Sequence, residues 1–352
     1  MLYTSGTTGK PKGVVRPLDY ATGLTALTSA PRYEPGRSQL HLCTGPMHHG
    51  GPLVYSMCVP IRHGVGTVLM DRWDATEALR LIEHHRITHT HMVPTMFHRL
   101  LRLPEELRTR ADVSSLQYVA HGAAPCTVAT KRAMIEWFGP ILWEYYAASE
   151  GGGASVSPEQ WLEKPGTVGK PITRDHVRIL DDARNPCKPY QPGTIYLKLL
   201  EDSDFQYFND PEKTEAAHYG DYFTVGDVGY LDEDGFLFLT DRSADLIVRG
   251  GVNIYPAEVE AVLLQHPAVR DAAVVGVPDE EWGEEVKGVV ERLSEEAEQQ
   301  DLEAQLLEFC RARLARFKCP GSIDIVDHLP RSDNGKLYKR RLRDAYRGAI
   351  DA

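Results

Sequence analysis

The stretch YTSGTTGKPKGV, residues 3–14, combines small residues, hydroxyl side chains and two lysines. Small residues allow a backbone loop to wrap closely around a polyphosphate, and the hydroxyls with Lys10 and Lys12 supply hydrogen-bond donors and positive charge. The loop differs from a Walker A loop, because only two residues separate Gly6 from Gly9. A plain surface turn would account for one pair of glycines but not for the whole stretch. The sequence therefore predicts a phosphate-binding loop here.

Strand-like and helix-like segments alternate after this loop. Short strands that alternate with helices are typical of parallel βαβ units, so we expect an α/β fold. Residues 1–3 are expected to form a buried strand that leads into the loop. The other predicted strands are residues 66–70, 87–93 and 116–120, and the predicted helices are residues 75–85, 95–103 and 127–138.

The pattern changes at about residue 165. From there to residue 240, short strand-like runs are separated by turns rich in Pro, Gly and Asp, which predicts an antiparallel β subdomain. A polar segment with two adjacent glycines follows and is expected to be a hinge. The last hundred residues or so predict a small α+β domain, with helices at 256–265 and 301–314 and a strand at 272–277. The predicted organisation is a large domain at 1–240, a hinge at 241–251 and a small domain at 252–352.

Charge and composition argue against several classes of protein. The 39 basic and 50 acidic residues give a net charge of −11, which is unfavourable for general binding to nucleic acid. The six cysteines have no zinc-site spacing, so reduced thiols in the cytosol are expected. The N-terminus lacks signal-peptide features, and Pro60 and Arg62 interrupt the most apolar stretch, residues 52–70. We therefore expect a soluble, cytoplasmic protein without a transmembrane segment.

Further motifs follow the loop in order along the chain. They are GAAP at 122–125, YYAASE at 145–150, VGDVGY at 225–230, DRSAD at 241–245 and PRSDNGK at 330–336. Together with the loop, this series resembles the adenylate-forming superfamily, which includes acyl-CoA synthetases, peptide-synthetase adenylation domains and luciferases. The resemblance implies a large N-terminal domain with parallel α/β and antiparallel β subdomains, and a small, mobile α+β C-terminal domain. It extends over essentially the whole chain.

The resemblance also implies a nucleotide site built from all of these motifs. In the manner of the family, Tyr146 contacts adenine, Asp227 accepts from the ribose hydroxyls and Arg242 binds ribose or phosphate. Glu150 helps to hold Mg²⁺, for which a carboxylate is a suitable ligand. The implied nucleotide-binding residues are Thr4, Ser5, Gly6, Thr7, Thr8, Gly9, Lys10, Lys12, Gly122, Ala123, Ala124, Tyr146, Ser149, Asp227, Arg242 and Lys336.

By the same resemblance, Lys336 is the catalytic lysine, and Glu150 and Thr8 assist it. In this chemistry a carboxylate attacks the α-phosphorus of ATP, and negative charge accumulates there while pyrophosphate leaves. Cations and hydrogen-bond donors around that phosphorus are the main catalytic resource. A general base is not required, because the attacking carboxylate is already ionised at neutral pH.

The segment PMHHGGP, residues 46–52, resembles the acyl-pocket segment of the family, with His49 at the position of the usual histidine. The segment has no Asp to hold a substrate ammonium, which favours plain carboxylic acids, fatty or cyclic and apolar. His89 and His91 alternate on one predicted strand and are expected to pack or to line the pocket rather than to bind a metal. Neighbouring histidines of this kind are more often structural.

Gly250 and Gly251 match the family's loop that approaches the acceptor thiol. The alternative interpretation of the two glycines is a tight turn that requires positive φ, which is compatible with that role. Two positions depart from the family pattern. Val225 replaces the usual Thr, and Ala244 stands where the hinge often has a charged residue. A mechanism that needs a charged hinge is therefore not expected, although backbone rotation needs no charge.

The function predicted from the resemblance is ATP-dependent formation of an acyl-adenylate, followed by transfer to CoA that yields acyl-CoA, AMP and pyrophosphate. Its cofactors and substrates would be ATP, Mg²⁺, CoA and a carboxylic acid. One alternative is an acyl-AMP ligase that loads a carrier protein. Another is a non-catalytic fragment, since relatives usually have a further segment before the loop. A homodimer is also compatible with the sequence.

Overall fold

The computed structural model describes residues 1–5, 11–17, 33–199, 204–242, 245–293, 299–331 and 337–348. Two compact units make up the chain. The first comprises Met1–Val225 and Gly229–Leu239, and the second comprises Gly226–Val228 and most of the chain from Thr240 onward.

The first unit begins with a hairpin of two antiparallel strands, β1 (Leu2–Ser5) and β2 (Pro11–Val15), in which Tyr3 lies opposite Gly13. The strand expected before the loop is therefore present. Its expected burial is wrong, because the Tyr3 side chain is 58% exposed. The reason is that β1 is the edge strand of its sheet, so one side of it has no neighbouring strand.

A seven-stranded sheet forms the centre of the first unit. The strand order is β4-β3-β5-β6-β7-β8-β9. The first five of these strands pair with one another in parallel, β8 pairs antiparallel with β7, and β9 pairs antiparallel with β8. The parallel part confirms the expected α/β fold. The strands are β3 (Leu40–Cys43), β4 (Gly66–Leu69), β5 (His89–Met92), β6 (Tyr118–His121), β7 (Leu142–Ala147), β8 (Gly152–Val156) and β9 (Lys170–Pro171).

Helices pack on one face of this sheet, where their apolar stripes meet Leu42, Val119 and Leu142 in the main core. The predicted helix 75–85 has the same bounds in the structure, because the Asp74 side chain caps its first turn by accepting from the Glu77 amide at 2.8 Å. The helices of this part of the chain are α1 (Ala75–His85), α2 (Pro94–Leu101), α3 (Glu105–Arg110), α4 (Val128–Phe138) and α5 (Pro158–Glu163).

A different helical element packs on the opposite face of the sheet. It runs through Gly50–Pro52, a π-helix at Leu53–Cys58 and Val59–Arg62, and is called the 50–62 segment below. Tyr55 in its π-helix packs with Tyr118, Ala120 and Tyr145 in a separate buried cluster. A π-helical turn inside an α-helix is rare and is frequently found at functional sites.

A second sheet completes the first unit and includes the antiparallel pairs β10–β11, β11–β14 and β13–β14, as the turn-rich sequence predicts. Its strand order is β13-β14-β11-β15-β16, with β10 beside β11, while β12 pairs with β2 of the hairpin. The elements are β10 (Val177–Leu180), β11 (Gly193–Lys198), β12 (Gln206–Tyr207), α6 (Pro211–Ala217), β13 (His218–Tyr219), β14 (Tyr222–Phe223), β15 (Asp227–Leu231) and β16 (Leu237–Arg242).

The second unit is a small α+β structure with a core of its own, in which Val274, Val290 and Leu306 are fully buried. The sheet order is β18-β17-β20-β19, and β21 joins β20 in parallel. The elements are β17 (Ile247–Arg249), β18 (Val252–Ile254), α7 (Pro256–Leu263), β19 (Val269–Asp279), β20 (Gly283–Arg292), α8 (Gln299–Arg311), β21 (Ser322–Val326) and α9 (Lys339–Gly348).

All six cysteines lie within the described ranges, and each of them is a free thiol. None of the helices in the described part of the chain has the length and apolar character needed to cross a bilayer.

Candidate active site

The predicted phosphate loop connects β1 to β2. Thr4 and Ser5 end β1, and they lie opposite Lys12 and Pro11 in the hairpin register. Five residues of the predicted loop lie outside the described residues, namely Gly6, Thr7, Thr8, Gly9 and Lys10. Lys12 follows them in β2 and is described.

Lys12 contacts the predicted metal ligand Glu150. The Lys12 Nζ is 3.0 Å from Glu150 Oε1, and the Tyr207 hydroxyl donates to the same oxygen at 2.7 Å. Lys12 also donates to the Tyr207 hydroxyl at 2.9 Å, with its ammonium 4.1 Å from the centre of the Tyr207 ring. Glu150 is only 3% exposed, so these two donors compensate much of the cost of burying its charge. We call Lys12, Glu150 and Tyr207 the carboxylate cluster.

Tyr207 is a member of this cluster that sequence reasoning missed. Burial and the neighbouring Glu150 carboxylate raise the pKa of Tyr207 above its ordinary value, so its hydroxyl stays protonated and remains a donor. Tyr207 reaches the site because β12 pairs with β2, with Tyr207 opposite Val14. The one signal available in the sequence was a short run of aromatic residues, FQYF at 205–208, just before a helix start.

The turn that carries Ser149 and Glu150 is tightly held. It joins β7 to β8 through hydrogen bonds between Ala148 and Gly151, at 2.7 and 3.2 Å. Arg16, also missed from the sequence, donates from Nη1 to the backbone carbonyls of Ser149, at 3.3 Å, and of Glu150. The position of the Glu150 carboxylate is therefore set by the hairpin and by the large sheet together.

The carboxylate cluster suits a magnesium ion that is shared with phosphate oxygens. Mg²⁺ is commonly bound through one or two carboxylates together with substrate phosphates and water. Among the residues that the structure describes, no group of three or more His, Cys, Asp or Glu side chains could hold a metal alone. A single buried carboxylate next to the predicted phosphate loop fits the shared arrangement, in which Glu150 would hold the ion.

The GAAP turn follows β6 directly and has an unusual backbone. Ala123 has φ of +67°, a left-handed conformation that costs a non-glycine residue roughly 1–2 kcal/mol. Gly122 fits closely against β7, because a Cβ there would lie 2.6 Å from the Tyr145 carbonyl oxygen and 2.8 Å from its ring. Tyr146, the predicted adenine contact, is the next residue of β7 and is buried. The structure thus places the GAAP turn beside Tyr145 and Tyr146.

Asp227 and Arg242, the predicted ribose and phosphate contacts, lie at the ends of neighbouring strands. Asp227 begins β15 and is buried, and Arg242 ends β16. The Thr240 hydroxyl donates to the Val228 carbonyl at 3.0 Å and joins the two strand ends. The Arg242 side chain and Lys336 lie outside what the structure describes.

Gly250 and Gly251 form the two-residue turn between β17 and β18. Their φ angles are +56° and +78°, as a hairpin turn with two left-handed residues requires, so the tight turn with positive φ is present. A Cβ at Gly250 would lie 2.8 Å from the Trp282 ring, which is 47% exposed. Trp282 is therefore a large exposed aromatic residue beside the predicted thioester loop, and no sequence motif identified it.

The segment predicted to line the acyl pocket begins the helical 50–62 segment. His49 is the residue before its first turn, and its ring lies 4.3 Å from that of His48. Gly51 faces the large sheet, where a Cβ would lie 2.8 Å from the Tyr145 hydroxyl and 3.1 Å from the His91 ring. The predicted acyl segment therefore contacts the same tyrosine as the GAAP turn.

Histidine and tyrosine side chains cover the sheet face beneath the 50–62 segment. His91 bonds to the Tyr145 hydroxyl at 2.9 Å, and His41 bonds to Tyr33 and Ser56 at 2.8 and 2.9 Å. His89 and His91 are both buried, which is consistent with the packing role predicted for them. Burial lowers the pKa of His91 from 6.5 to about 4 and also lowers the pKa of His41, so both rings are neutral at pH 7.

The neutral state of His91 predicts acid sensitivity. Between pH 6.5 and 4 the imidazole binds a proton in the unfolded chain but not in the folded one, so stability falls as the pH falls. The loss from His91 alone is expected to be about 3 kcal/mol over this interval and absent above it. Urea unfolding of the wild type and of His91→Gln across this pH range measures it. Parallel pH profiles for the two proteins would contradict the prediction.

The first and second parts of the chain match two successive family profiles. The family of AMP-binding enzymes matches residues 1–199, and the AMP-binding enzyme C-terminal domain matches residues 258–336. The chain therefore belongs to the AMP-binding enzymes of the adenylate-forming superfamily, as the motifs indicate.

Individual relatives specify the chemistry of the family further. A 2-succinylbenzoate–CoA ligase of Bacillus pumilus is 35% identical over 352 residues, which cover 100% of this chain and 69% of that protein. The long-chain-fatty-acid–CoA ligase FadD13 of Mycobacterium tuberculosis is 33% identical over 361 residues, which cover 99% of this chain and 68% of that protein. Both relatives are acid–thiol ligases.

Solved structures of one further relative are similar over the same span. The o-succinylbenzoate CoA synthetase MenE of Bacillus subtilis, in complex with its acyl-adenylate intermediate, has a TM-score of 0.81 at 33% identity, covering 97% of this chain and 68% of that one. The same synthetase with ATP and magnesium ion has a TM-score of 0.79 at 32% identity, with coverage of 98% and 69%.

Proposed function

We propose that this chain is an acid–thiol ligase. It activates a carboxylic acid with MgATP to an acyl-adenylate and pyrophosphate, and then transfers the acyl group to CoA with release of AMP. The substrate class that we propose is a fatty or cyclic apolar acid, in line with the ligases to which the chain is similar.

The observation that supports this proposal best is the carboxylate cluster. A lysine from the predicted phosphate loop and a buried carboxylate from a distant motif lie 3.0 Å apart. Glu150 is only 3% exposed and also accepts a hydrogen bond from the Tyr207 hydroxyl. A plain turn or a surface ion pair would not need a carboxylate that is buried in this way. Charged groups of both signs in a shielded site are what the transfer of an adenylyl group needs.

In the first half-reaction, an oxygen of the substrate carboxylate attacks the α-phosphorus of ATP, and the bond from that phosphorus to the bridging oxygen of pyrophosphate breaks. Glu150 would hold Mg²⁺, which supplies positive charge against the triphosphate when bound. The proposed donors to the phosphates are the loop residues Thr4 to Lys12, with Ser149, Arg242 and Lys336. Glu150 would hold the metal and Lys12 would bind the phosphates, and the Tyr207 hydroxyl fixes the positions of both side chains through its hydrogen bonds.

The remaining site residues define the rest of the nucleotide pocket in this proposal. Gly122, Ala123, Ala124 and Tyr146 surround adenine, and Asp227 accepts from the ribose hydroxyls. His49 lies at the acyl site. These assignments follow from matching motif positions in the family and are supported by the contacts of the GAAP turn and β7.

In the second half-reaction, the CoA thiolate attacks the acyl carbonyl carbon, AMP leaves with the electron pair of the bond, and a thioester forms. We propose that residues 241–251 act as the hinge between domains 1–240 and 252–352, with Gly250 and Gly251 approaching the thiol. A carrier-protein phosphopantetheine is the alternative acceptor, and thioester assays with CoA and with a holo-carrier protein separate the two. A cytoplasmic location and a homodimer are further proposals, the latter testable by analytical ultracentrifugation.

The experiment that tests the function is MgATP-dependent pyrophosphate release by the 352-residue chain with a panel of carboxylic acids. Release that requires both MgATP and one class of acid is the expected result, and the Lys336→Ala protein, in which release should be lost, controls for contaminating enzymes. Absence of release with every acid would contradict the proposal for this chain. The panel would then be repeated with the chain extended by the N-terminal segment of a relative. Pyrophosphate release that appears only with the extension would show that the 352-residue chain alone is a non-catalytic fragment.

A further inference from the structure

Three buried, titratable side chains flank the GAAP turn. His121 is the last residue of β6, directly before Gly122, and Lys131 lies in α4, the helix that follows the turn. Glu144 lies opposite His121 on the neighbouring strand β7. The strand before the turn, the helix after it and the strand beside it therefore supply one side chain each. We call His121, Lys131 and Glu144 the ion-pair cluster.

The Glu144 carboxylate is the centre of the ion-pair cluster. Its Oε2 is 2.7 Å from Lys131 Nζ and 3.6 Å from His121 Nε2, and all three residues are buried. The Lys131 ammonium lies 4.8 Å from the centre of the Trp161 ring, and the His121 ring meets the Phe97 ring edge-on at 5.1 Å. Because aromatic groups enclose these side chains, Lys131 and Glu144 must compensate each other's charge.

The His121 imidazole is fully buried and incompletely satisfied. Within the described part of the chain, neither ring nitrogen has a hydrogen-bond partner, since the 3.6 Å to the Glu144 oxygen is too long for one. Burial lowers the pKa of His121 well below its usual value, and the Lys131 charge lowers it further, so the ring is neutral at pH 7. A buried polar group without a partner destabilises a fold. Stability therefore does not account for this imidazole.

The ion pair has an equally weak justification in stability alone. Apolar residues of similar volume often replace a buried ion pair without loss. What the pair does provide is a defined geometry, because a charge-assisted hydrogen bond fixes the direction as well as the distance between its partners. Lys131 and Glu144 lie on either side of one turn, so this geometry is imposed on the turn between β6 and α4.

The GAAP turn depends on support from its surroundings. Ala123 has φ of +67°, and a Cβ at Gly122 would lie 2.6 Å from the Tyr145 carbonyl oxygen. The turn thus packs against the backbone of β7 at the residue that follows Glu144. A strained backbone of this kind persists only where the surrounding structure fixes it.

We propose that the ion-pair cluster positions the adenine end of the nucleotide site. It fixes the end of β6, the start of α4 and the adjacent part of β7, so that the GAAP turn and Tyr146 keep the spacing that a purine ring requires. His121, Lys131 and Glu144 act through the turn and are positioning residues. The inference rests on the proposed function and extends it to side chains outside the proposed contacts of the nucleotide.

The first test compares two ligands that share the phosphate end of the site. They are α,β-methylene-ATP, which cannot release pyrophosphate, and tripolyphosphate, which lacks adenosine, each titrated with Mg²⁺ by calorimetry. In Lys131→Met/Glu144→Leu the Kd of the nucleotide analogue is expected to rise about tenfold, the effect of roughly one misplaced hydrogen bond, and the Kd of tripolyphosphate to stay within about twofold. An equal rise for both ligands, or no rise for the analogue, would overturn the inference.

The second test separates positioning from stability. His121→Leu removes the unsatisfied imidazole and keeps a side chain of similar size, so the free energy of unfolding in urea is expected to be unchanged or higher. The Kd of the nucleotide analogue is nevertheless expected to rise by about threefold. A merely structural residue would weaken binding only by weakening the fold. Wild-type affinity in His121→Leu, or weaker binding accompanied by lower stability, would contradict the proposed role.

Leu100→Ala in α2 is the matched control for loss of stability. Leu100 is fully buried in the core that also contains Phe97 and Val119, so its truncation leaves a cavity and destabilises the protein. Both ligands should bind to this variant as they bind to the wild type. A selective loss of nucleotide affinity in Leu100→Ala would show that destabilisation alone produces the effect, and the inference would fail.

Kinetics separate this inference from the proposed function. A wild-type protein that neither binds the analogue nor releases pyrophosphate would overturn both. If the wild type is active, the double variant should show a raised KM for ATP and a kcat within about threefold of the wild type, because the reacting phosphorus is remote from the ion-pair cluster. An unchanged KM in an active double variant would overturn the inference alone. If the double variant does not fold, His121→Leu provides the same comparison.

Discussion

Glu150→Gln is expected to lower the rate of acyl-adenylate formation by roughly 10²–10³-fold. The substitution preserves the shape of the side chain and an oxygen that can accept from the Tyr207 hydroxyl. It removes the negative charge that pairs with Lys12 at 3.0 Å and that is proposed to bind Mg²⁺. Single-turnover formation of the adenylate at saturating ATP, repeated over a range of Mg²⁺ concentrations, measures the effect.

A matched control for this substitution is Glu159→Gln in α5, where the carboxylate is exposed and lies away from the cluster. Its adenylation rate should equal that of the wild type. Tyr207→Phe should show an intermediate loss, because the charges remain and only a donor to Glu150 is removed. A Glu150→Gln enzyme with the wild-type rate and Mg²⁺ dependence would exclude Glu150 from the proposed role.

Lys131→Met is expected to destabilise the protein by about 3–5 kcal/mol, because it leaves a buried carboxylate without its partner. Lys131 in α4 and Glu144 in β7 form an ion pair at 2.7 Å, with exposures of 0% and 5%. Burial lowers the pKa of Lys131 and raises that of Glu144, and the attraction between the two groups opposes both shifts. His121 Nε2 lies 3.6 Å from the same carboxylate oxygen.

The double variant Lys131→Met/Glu144→Leu tests the cause of that loss. Removal of both charges should restore most of the stability that the single variant loses, since apolar residues of similar volume often replace a buried ion pair without cost. Urea unfolding at pH 7 followed by circular dichroism gives the three free energies. A double variant that is no more stable than Lys131→Met would show that packing, and not the unpaired charge, causes the loss.

The parts of the fold that depend on local sequence could be predicted. Residues 75–85 read as a helix because Leu79 and Ile82 recur at helical spacing, and both are buried in the structure, where the Asp74 side chain caps the helix. The left-handed turn at Gly250 and Gly251 is also a local feature, because two adjacent glycines tolerate positive φ.

The parts that depend on long-range pairing could not be predicted. Tyr207 reaches Glu150 through the pairing of β12 with β2, and no local pattern specifies which strand lies beside which. The strand HTHM at His89–Met92 reads as half polar but is buried throughout. The hydroxyl of the adjacent Thr88 satisfies the His89 imidazole, and the hydroxyl of the distant Tyr145 satisfies that of His91. Burial of polar residues is decided by such distant partners. Glu150 was found through a family motif, whereas Lys12 was already indicated by the composition of its loop.

The pairing of β12 with β2 also determines when this site can be completed during protein synthesis. Lys12 leaves the ribosome 195 residues before Tyr207 does. At typical elongation rates this interval is about 10–40 s. During that time the hairpin has neither its third strand nor the hydroxyl that joins Lys12 to Glu150. A nascent chain that is stopped before residue 207 therefore lacks the assembled carboxylate cluster, however much of the large sheet has already folded.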